Sequence, residues 1–128
     1  MAEENAKAGE HLVGRSRPRA ATSRFYYAAY QAAHAILFTT PLASSVPQRG
    51  NWDHGPLINA IKQAAMRHMG LDAMASERLR RLLVAARDAR VVADYGAGYE
   101  VSTHSLRSAH KAATQFVALA HRHGASSR

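Results

Sequence analysis

The longest apolar stretch of the chain runs from Ser23 to Phe38 and has no single apolar face. Wound as an α-helix, it places Ala21, Phe25, Ala28, Ala29, Ala32 and Ile36 in one stripe and Tyr26, Ala33 and Leu37 in another. A helix that is apolar on several sides has neighbours on several sides, so this segment is expected at the centre of a bundle. Ser16 is expected to cap it, and Pro18 suits the first turn, where its missing N–H costs nothing. Pro41 disfavours helical geometry at Thr40 and is expected to end it. About 23 residues lie between these limits, a rod of roughly 34 Å at 1.5 Å per residue. Phe25, Ala29, Ala32 and Ile36 are expected to be buried together.

Amphipathic segments flank this spine. Glu3 to Val13 reads as a short helix with Ala6, Ala8, Leu12 and Val13 on its apolar side, ended by Gly14. Leu57, Ile58, Ile61, Ala64, Ala65 and Met69 recur at helical spacing and predict a third helix from about Pro56 to Met69, closed by Gly70. A fourth is expected from an N-cap at Ser76 to about Asp94, with Leu79, Leu82, Leu83, Ala86, Ala89, Ala93 and Val92 inward and Arg78, Arg80 and Arg81 outward. Gly96 and Gly98 then break the chain. Ser102 caps a last helix carrying Leu106, Ala109, Ala113, Phe116, Val117 and Ala120, ended by Gly124. No alternation of strand period and no repeat is present. The reading is an all-α, up-and-down bundle of four or five helices in one domain. It comprises a short N-terminal helix over 1–15, the bundle over 16–124 and a frayed tail over 125–128.

Composition narrows the chemistry. A chain of 128 residues can bury roughly two-thirds of its unfolded surface without a metal or disulfide staple. It has no cysteine, which excludes thiol catalysis and thiolate zinc sites and fits a reducing, cytoplasmic setting. The acidic start, Met1 to Gly14, lacks the apolar core of a secretory signal. Between Arg24 and Arg49 the run carries no acidic or basic residue apart from His34, yet Pro41, Ser44, Ser45 and Pro47 interrupt it, and no membrane span is expected. Seventeen Lys and Arg against nine Asp and Glu leave a net charge of +8, and fourteen of the seventeen are arginine. Such a balance favours a polyanionic partner, nucleic acid foremost. Arg15, Arg17, Arg19 and Arg24 cluster where the central helix starts, against its macrodipole, a placement that suits a bound anion better than helix stability.

The fourth helix ends Arg87-Asp88-Ala89-Arg90-Val91-Val92-Ala93-Asp94-Tyr95, with Arg87, Arg90 and Asp94 on one face. Taken alone, an Arg90–Asp94 pair is a sufficient account of these charges. Together with Ser-Arg-x-Tyr-Tyr-Ala at Ser23 to Ala28 and His54-Gly55 before the third helix, the Arg-x-x-Ala-Asp-Tyr ending resembles the HEPN domain (higher eukaryotes and prokaryotes nucleotide-binding). The likeness covers about residues 20 to 120 and is to the subfamily whose fourth helix ends in this way. It implies a helical bundle, commonly a homodimer, that interacts with RNA or nucleotide. It further implies a place in a toxin–antitoxin or anti-phage defence pair with a nucleotidyltransferase partner. Arg24, Tyr27, Arg87 and Arg90 are then the expected RNA or nucleotide contacts, and Arg90, Asp94 and Tyr95 the candidate catalytic group. Neither metal nor cofactor is called for.

Catalytic members carry an arginine, then four to six intervening residues, then histidine. Here Asp94 and Tyr95 stand where that histidine would fall, and the literal Arg49-x4-His54 lies in the long connection instead. Metal-free cleavage of RNA needs a base of near-neutral pKa for the 2′-OH and a cation for the phosphorane. Arg90 can supply the cation. Asp94, near 3.9 by reference, is a weak base beside an arginine. His54 is the candidate substitute, whereas His34, on an apolar helix, reads as a hydrogen-bonded core residue. His68, His110, His121 and His123 read as surface residues, and the last two are too close in sequence to share a helix face for zinc. Three functions stay open at this point: an RNA- or nucleotide-binding module, an active ribonuclease with a site composed across a dimer, and a catalytically inactive scaffold.

Overall fold

Five α-helices make up 92% of the residues described by the computed structural model, and no strand occurs among them. Those residues are 2–14, 17–40, 54–95 and 103–123, with 54, 55 and 93–95 described through their backbone alone. The helices are α1 (Ala2–Gly14), α2 (Pro18–Phe38), α3 (His54–His68), α4 (Ala73–Tyr95) and α5 (Thr103–Arg122).

The central helix is α2, and it touches all four others. Phe25, Ala29, Ala32 and Ile36 are each at most 1% exposed, and Tyr26, Ala33 and Leu37 on the second stripe are buried too. Ala28, Ala29, Ala32 and Ala33 are wholly covered, and their small side chains let neighbouring backbones approach closely. The larger core gathers the second half of α2 around Leu57, Ile61, Leu83 and Phe116. A smaller one surrounds Phe25 with Ala21, Ala28, Ala89, Ala109 and Ala113.

Paired contacts fix the directions of the helices. Asn5 meets Gln31 while Leu12 meets Arg17, so α1 is antiparallel to α2. Arg90, near the end of α4, meets Tyr27, near the start of α2. Lys62 of α3 meets Glu77 of α4 across a short turn. Ala89 packs with Ala109 and Ala113, so the end of α4 lies beside the start of α5. Consecutive helices thus alternate at α1/α2, α3/α4 and α4/α5.

The helix ends show where local sequence acts. Arg17 occupies the N-cap of α2 without a side-chain cap, and Pro18 takes the first turn as expected; Ser16 lies outside the described residues. At the other end the amides of Thr39 and Thr40 donate to Ile36 O and Leu37 O. Their hydroxyls donate to the same two carbonyls at 2.6 and 2.8 Å. These threonines close α2 before Pro41 is reached, and Pro41 itself lies outside the described residues. Gly70 adopts φ +69°, the left-handed conformation that commonly ends a helix, and Leu71 N–H donates back to Ala65 O at 3.1 Å.

Three expectations are corrected. Asp72, not Ser76, caps α4: its Oδ1 accepts from Ala75 N–H at 2.7 Å, so the helix starts at Ala73 and Ser76 is fully buried one turn inside. Val92 is 45% exposed, because it lies about a quarter of a turn round from the buried Ala86–Ala89 side, beyond the edge of the packed stripe. Val13 is likewise exposed, and the residue of α1 that is buried is Gly9. The expected caps and breaks at Ser102, Gly96, Gly98 and Gly124 lie outside the described residues.

Candidate nucleic-acid interface

The polar surface where α1, α2 and α4 meet begins with the register of α2. Tyr26, Tyr30 and His34 recur every four residues and stack along the helix, with ring centroids 5.8 Å and then 4.4 Å apart. Tyr27 stands beside this ladder, edge-on to Tyr26 at 5.4 Å, and is 38% exposed.

Arg90 reaches this aromatic surface from α4. Its guanidinium carbon lies 5.5 Å from the Tyr26 ring centroid and 5.3 Å from that of Tyr27, within the range of cation–π attraction. One Nη2–H donates to the Tyr27 hydroxyl at 3.0 Å. The position of the cation is thereby set by two rings and by the hydroxyl of one of them. Arg87 is exposed one turn earlier. Burial pushes the Tyr26 phenol up to about 12, Tyr30 adds to the rise, and the positive charges of Arg90 and Arg87 oppose it.

On its other side Tyr27 lines a cleft of about 500 Å³ with Arg24, Gln31, Asn5, Ala8 and Glu4. Arg24 Nη1 donates to Asn5 Oδ1 at 3.1 Å, and Asn5 Nδ2 donates to Gln31 Oε1 at 2.6 Å. Asn5 therefore holds the exposed arginine toward the cleft while being held itself. Arg24, Asn5 and Gln31 line the cleft beside Tyr27, and Arg90 meets the hydroxyl of the same tyrosine, groups that can bind phosphate oxygens and the edge or face of a base.

Arg24, Tyr27 and Arg90, expected from sequence as RNA or nucleotide contacts, are thus brought together, and Arg87 lies close enough to influence Tyr26. The backbone of Asp94 and Tyr95 closes α4, and His54 opens α3, but the side chains of these three candidate catalytic residues lie outside the described residues. Arg49, Trp52 and Asp53 lie outside them as well, as does Arg15. His34 is the core residue that was expected: it is 8% exposed, with Nδ1 3.1 Å from the Tyr30 carbonyl. His68, His110, His121 and His123 are exposed. Among the described residues no cluster of three or more His, Asp or Glu could hold a metal ion. Within the same residues no helix is long and apolar enough to cross a membrane.

Sequence reasoning missed Asn5, Gln31 and Tyr26. The i, i+4 spacing of Tyr26, Tyr30 and His34, which places them on one helix face, is the signal that would have found this ladder. Nothing local couples Asn5 to residues 19 and 26 positions further along the chain. No family model, curated protein or solved structure matches the chain.

Proposed function

We propose that this protein is a HEPN-like helical bundle that binds RNA or nucleotide through the surface formed by Arg24, Tyr27, Arg87 and Arg90. In this reading it works as a homodimer in a toxin–antitoxin or anti-phage defence pair with a nucleotidyltransferase. The observation that carries the binding reading is the Arg90–Tyr27 hydrogen bond. It joins residues 63 apart in sequence at Tyr27, which with Arg24 lines the neighbouring cleft. The net charge of +8 supports a polyanion as the ligand, and exposed tyrosine next to arginine supports a stacked base with its phosphate. The pairing with a partner enzyme and the dimer rest on the sequence resemblance.

The test measures binding of a labelled single-stranded RNA across a salt series in EDTA, using wild type, Arg24→Ala and Arg90→Ala. Wild type is expected to bind with affinity falling steeply as salt rises, and each variant to lower the salt slope by about one. Circular dichroism checks that Arg90→Ala, which strips a cation from two rings, still folds. Binding indifferent to salt and to both arginines would leave the scaffold reading. Cleavage in EDTA that is lost in Arg90→Ala would replace the binding module with a ribonuclease.

A further inference from the structure

At the opposite end of α4 from Arg90, a second groove of about 280 Å³ runs between the first turns of α4 and the last turns of α5. Its make-up differs from that of the tyrosine surface. Leu71, Leu79 and Leu119 form an aliphatic floor, and Ala75 and Ala118 keep the walls low. Arg78 stands on one rim and Arg122 on the other, both exposed. The remaining α4 arginines nearby, Arg80 and Arg81, share the carboxylate of Glu77. Arg78 and Arg122 have neither ion pair nor hydrogen bond among the described residues, and no acidic side chain lines the groove.

We propose that this groove docks an acidic amphipathic peptide segment of a partner protein. One or two aliphatic anchors would lie on the leucine floor, with carboxylates meeting Arg78 and Arg122 across it. Charge complementarity selects this occupant. An apolar floor flanked by two uncompensated cations matches a segment that is apolar on one face and acidic at its edges, the helix-in-groove mode of recognition. RNA fits poorly, because no aromatic ring lines the groove and bases would have nothing to stack on. A free inorganic anion would leave the floor unused. The acidic segment of this chain itself, α1, is committed to α2 through Asn5 and Gly9. The inference is independent of the RNA reading, since it uses none of the same residues.

The probe is a fluorescein-labelled short helical peptide with leucines at i and i+4 flanked by glutamates, titrated with the full chain and read by anisotropy. Comparators are the same peptide with serine for leucine, with lysine for glutamate, and a single-stranded RNA. Wild type is expected to bind the acidic leucine peptide saturably and neither peptide comparator. The exposed double variant Arg78→Ala/Arg122→Ala is expected to bind about fivefold more weakly, the worth of rim ion pairs. Ala118→Trp, which fills the groove from an exposed position, is expected to abolish binding with the melting temperature retained. In ¹H–¹⁵N spectra the peptide, and not the RNA, is expected to shift the amides of Ala118 and Leu119. Absence of binding, equal binding of the lysine peptide, affinity unchanged in both variants, or amide shifts produced by RNA instead would each overturn the proposal.

Discussion

Gly9 of α1 lies against the ring of Phe25 in α2, so closely that a Cβ on Gly9 would come within 2.5 Å of the ring edge. The ring is 1% exposed and His110 packs edge-on to it at 4.9 Å, so a Cβ there forces the ring or α1 to shift. In an exposed helix, alanine in place of glycine would stabilise by roughly 1 kcal/mol. Here the forced displacement, about 1–3 kcal/mol, opposes and exceeds that gain. Gly9→Ala is therefore expected to lower the stability measured by urea unfolding, whereas Gly14→Ala, which meets nothing within 4 Å, is not. A more stable Gly9→Ala would show that α1 docks differently.

Phe25 is the keystone of the smaller core, where its other partners are largely alanines. Little can collapse into the space it would leave. Phe25→Ala is expected to destabilise by about 3–5 kcal/mol, and to loosen α1 first, which hydrogen exchange resolved by residue would show.

The contrast between Phe25 and Gly9 marks what was legible in the sequence. Phe25 sat on a stripe of 3.6-residue period that had to be buried, so its place in the core could be read directly. Gly9 carries no hydropathy signal, and its role depends on a ring sixteen positions away. The same division holds at the candidate interface. Arg24, Tyr27 and Arg90 stood in recognisable local motifs, whereas Asn5 became relevant only once α1 folded back on α2. At Ser76, cap chemistry was read correctly in kind but assigned one turn late, because Asp72 offers the same chemistry and lies next to the left-handed Gly70.

Ser76 itself gives a third prediction. Its hydroxyl oxygen is buried and has no hydrogen-bond partner among the described residues, and a desolvated polar atom of this kind costs about 1–3 kcal/mol. Ser76→Ala removes the hydroxyl and adds helix propensity, at the expense of a small void. It is expected to raise stability by about 1 kcal/mol, seen as a higher urea midpoint with unchanged slope. A lower midpoint would mean that the hydroxyl is satisfied.

Tyr26 predicts an alkaline limit. Its phenol ionises at about 12 in the folded chain, held up chiefly by burial, whereas an unfolded tyrosine ionises near 10. Between these values the unfolded state releases a proton that the folded state keeps. Stability is therefore whole below pH 10 and falls as pH rises toward 12. Absorbance titration is expected to show a late tyrosine transition, and Tyr26→Phe to remove it together with its share of the alkaline loss. If the late transition persists in Tyr26→Phe, another tyrosine is responsible.

Glu77 sets the acid side, by the reverse sign. Its carboxylate accepts from Arg80 Nε at 2.8 and 2.9 Å, pairs with Lys62 of α3 at 3.0 Å and lies 3.7 Å from Arg81. The hydrogen bonds from Arg80 and then Lys62 hold its pKa at about 2, well below the ordinary 4.5. The folded state thus keeps the ionised form after the unfolded state has taken up a proton. The contribution is complete above pH 4.5 and lost as pH falls toward 2. Among the described residues only Lys62 joins Glu77 to another helix, so the loss should appear as separation of α3 from α4. Glu77→Gln keeps the shape of the side chain and removes the charge. It is expected to lower stability at pH 7, to flatten the dependence between pH 4.5 and 2, and to make wild type and variant converge at the acid end. High salt should narrow the difference at pH 7, because the group is partly open to solvent and screened. A difference that stayed constant from pH 7 to pH 2 would show that glutamine disturbs packing, and that the charge of Glu77 does not hold the two helices together.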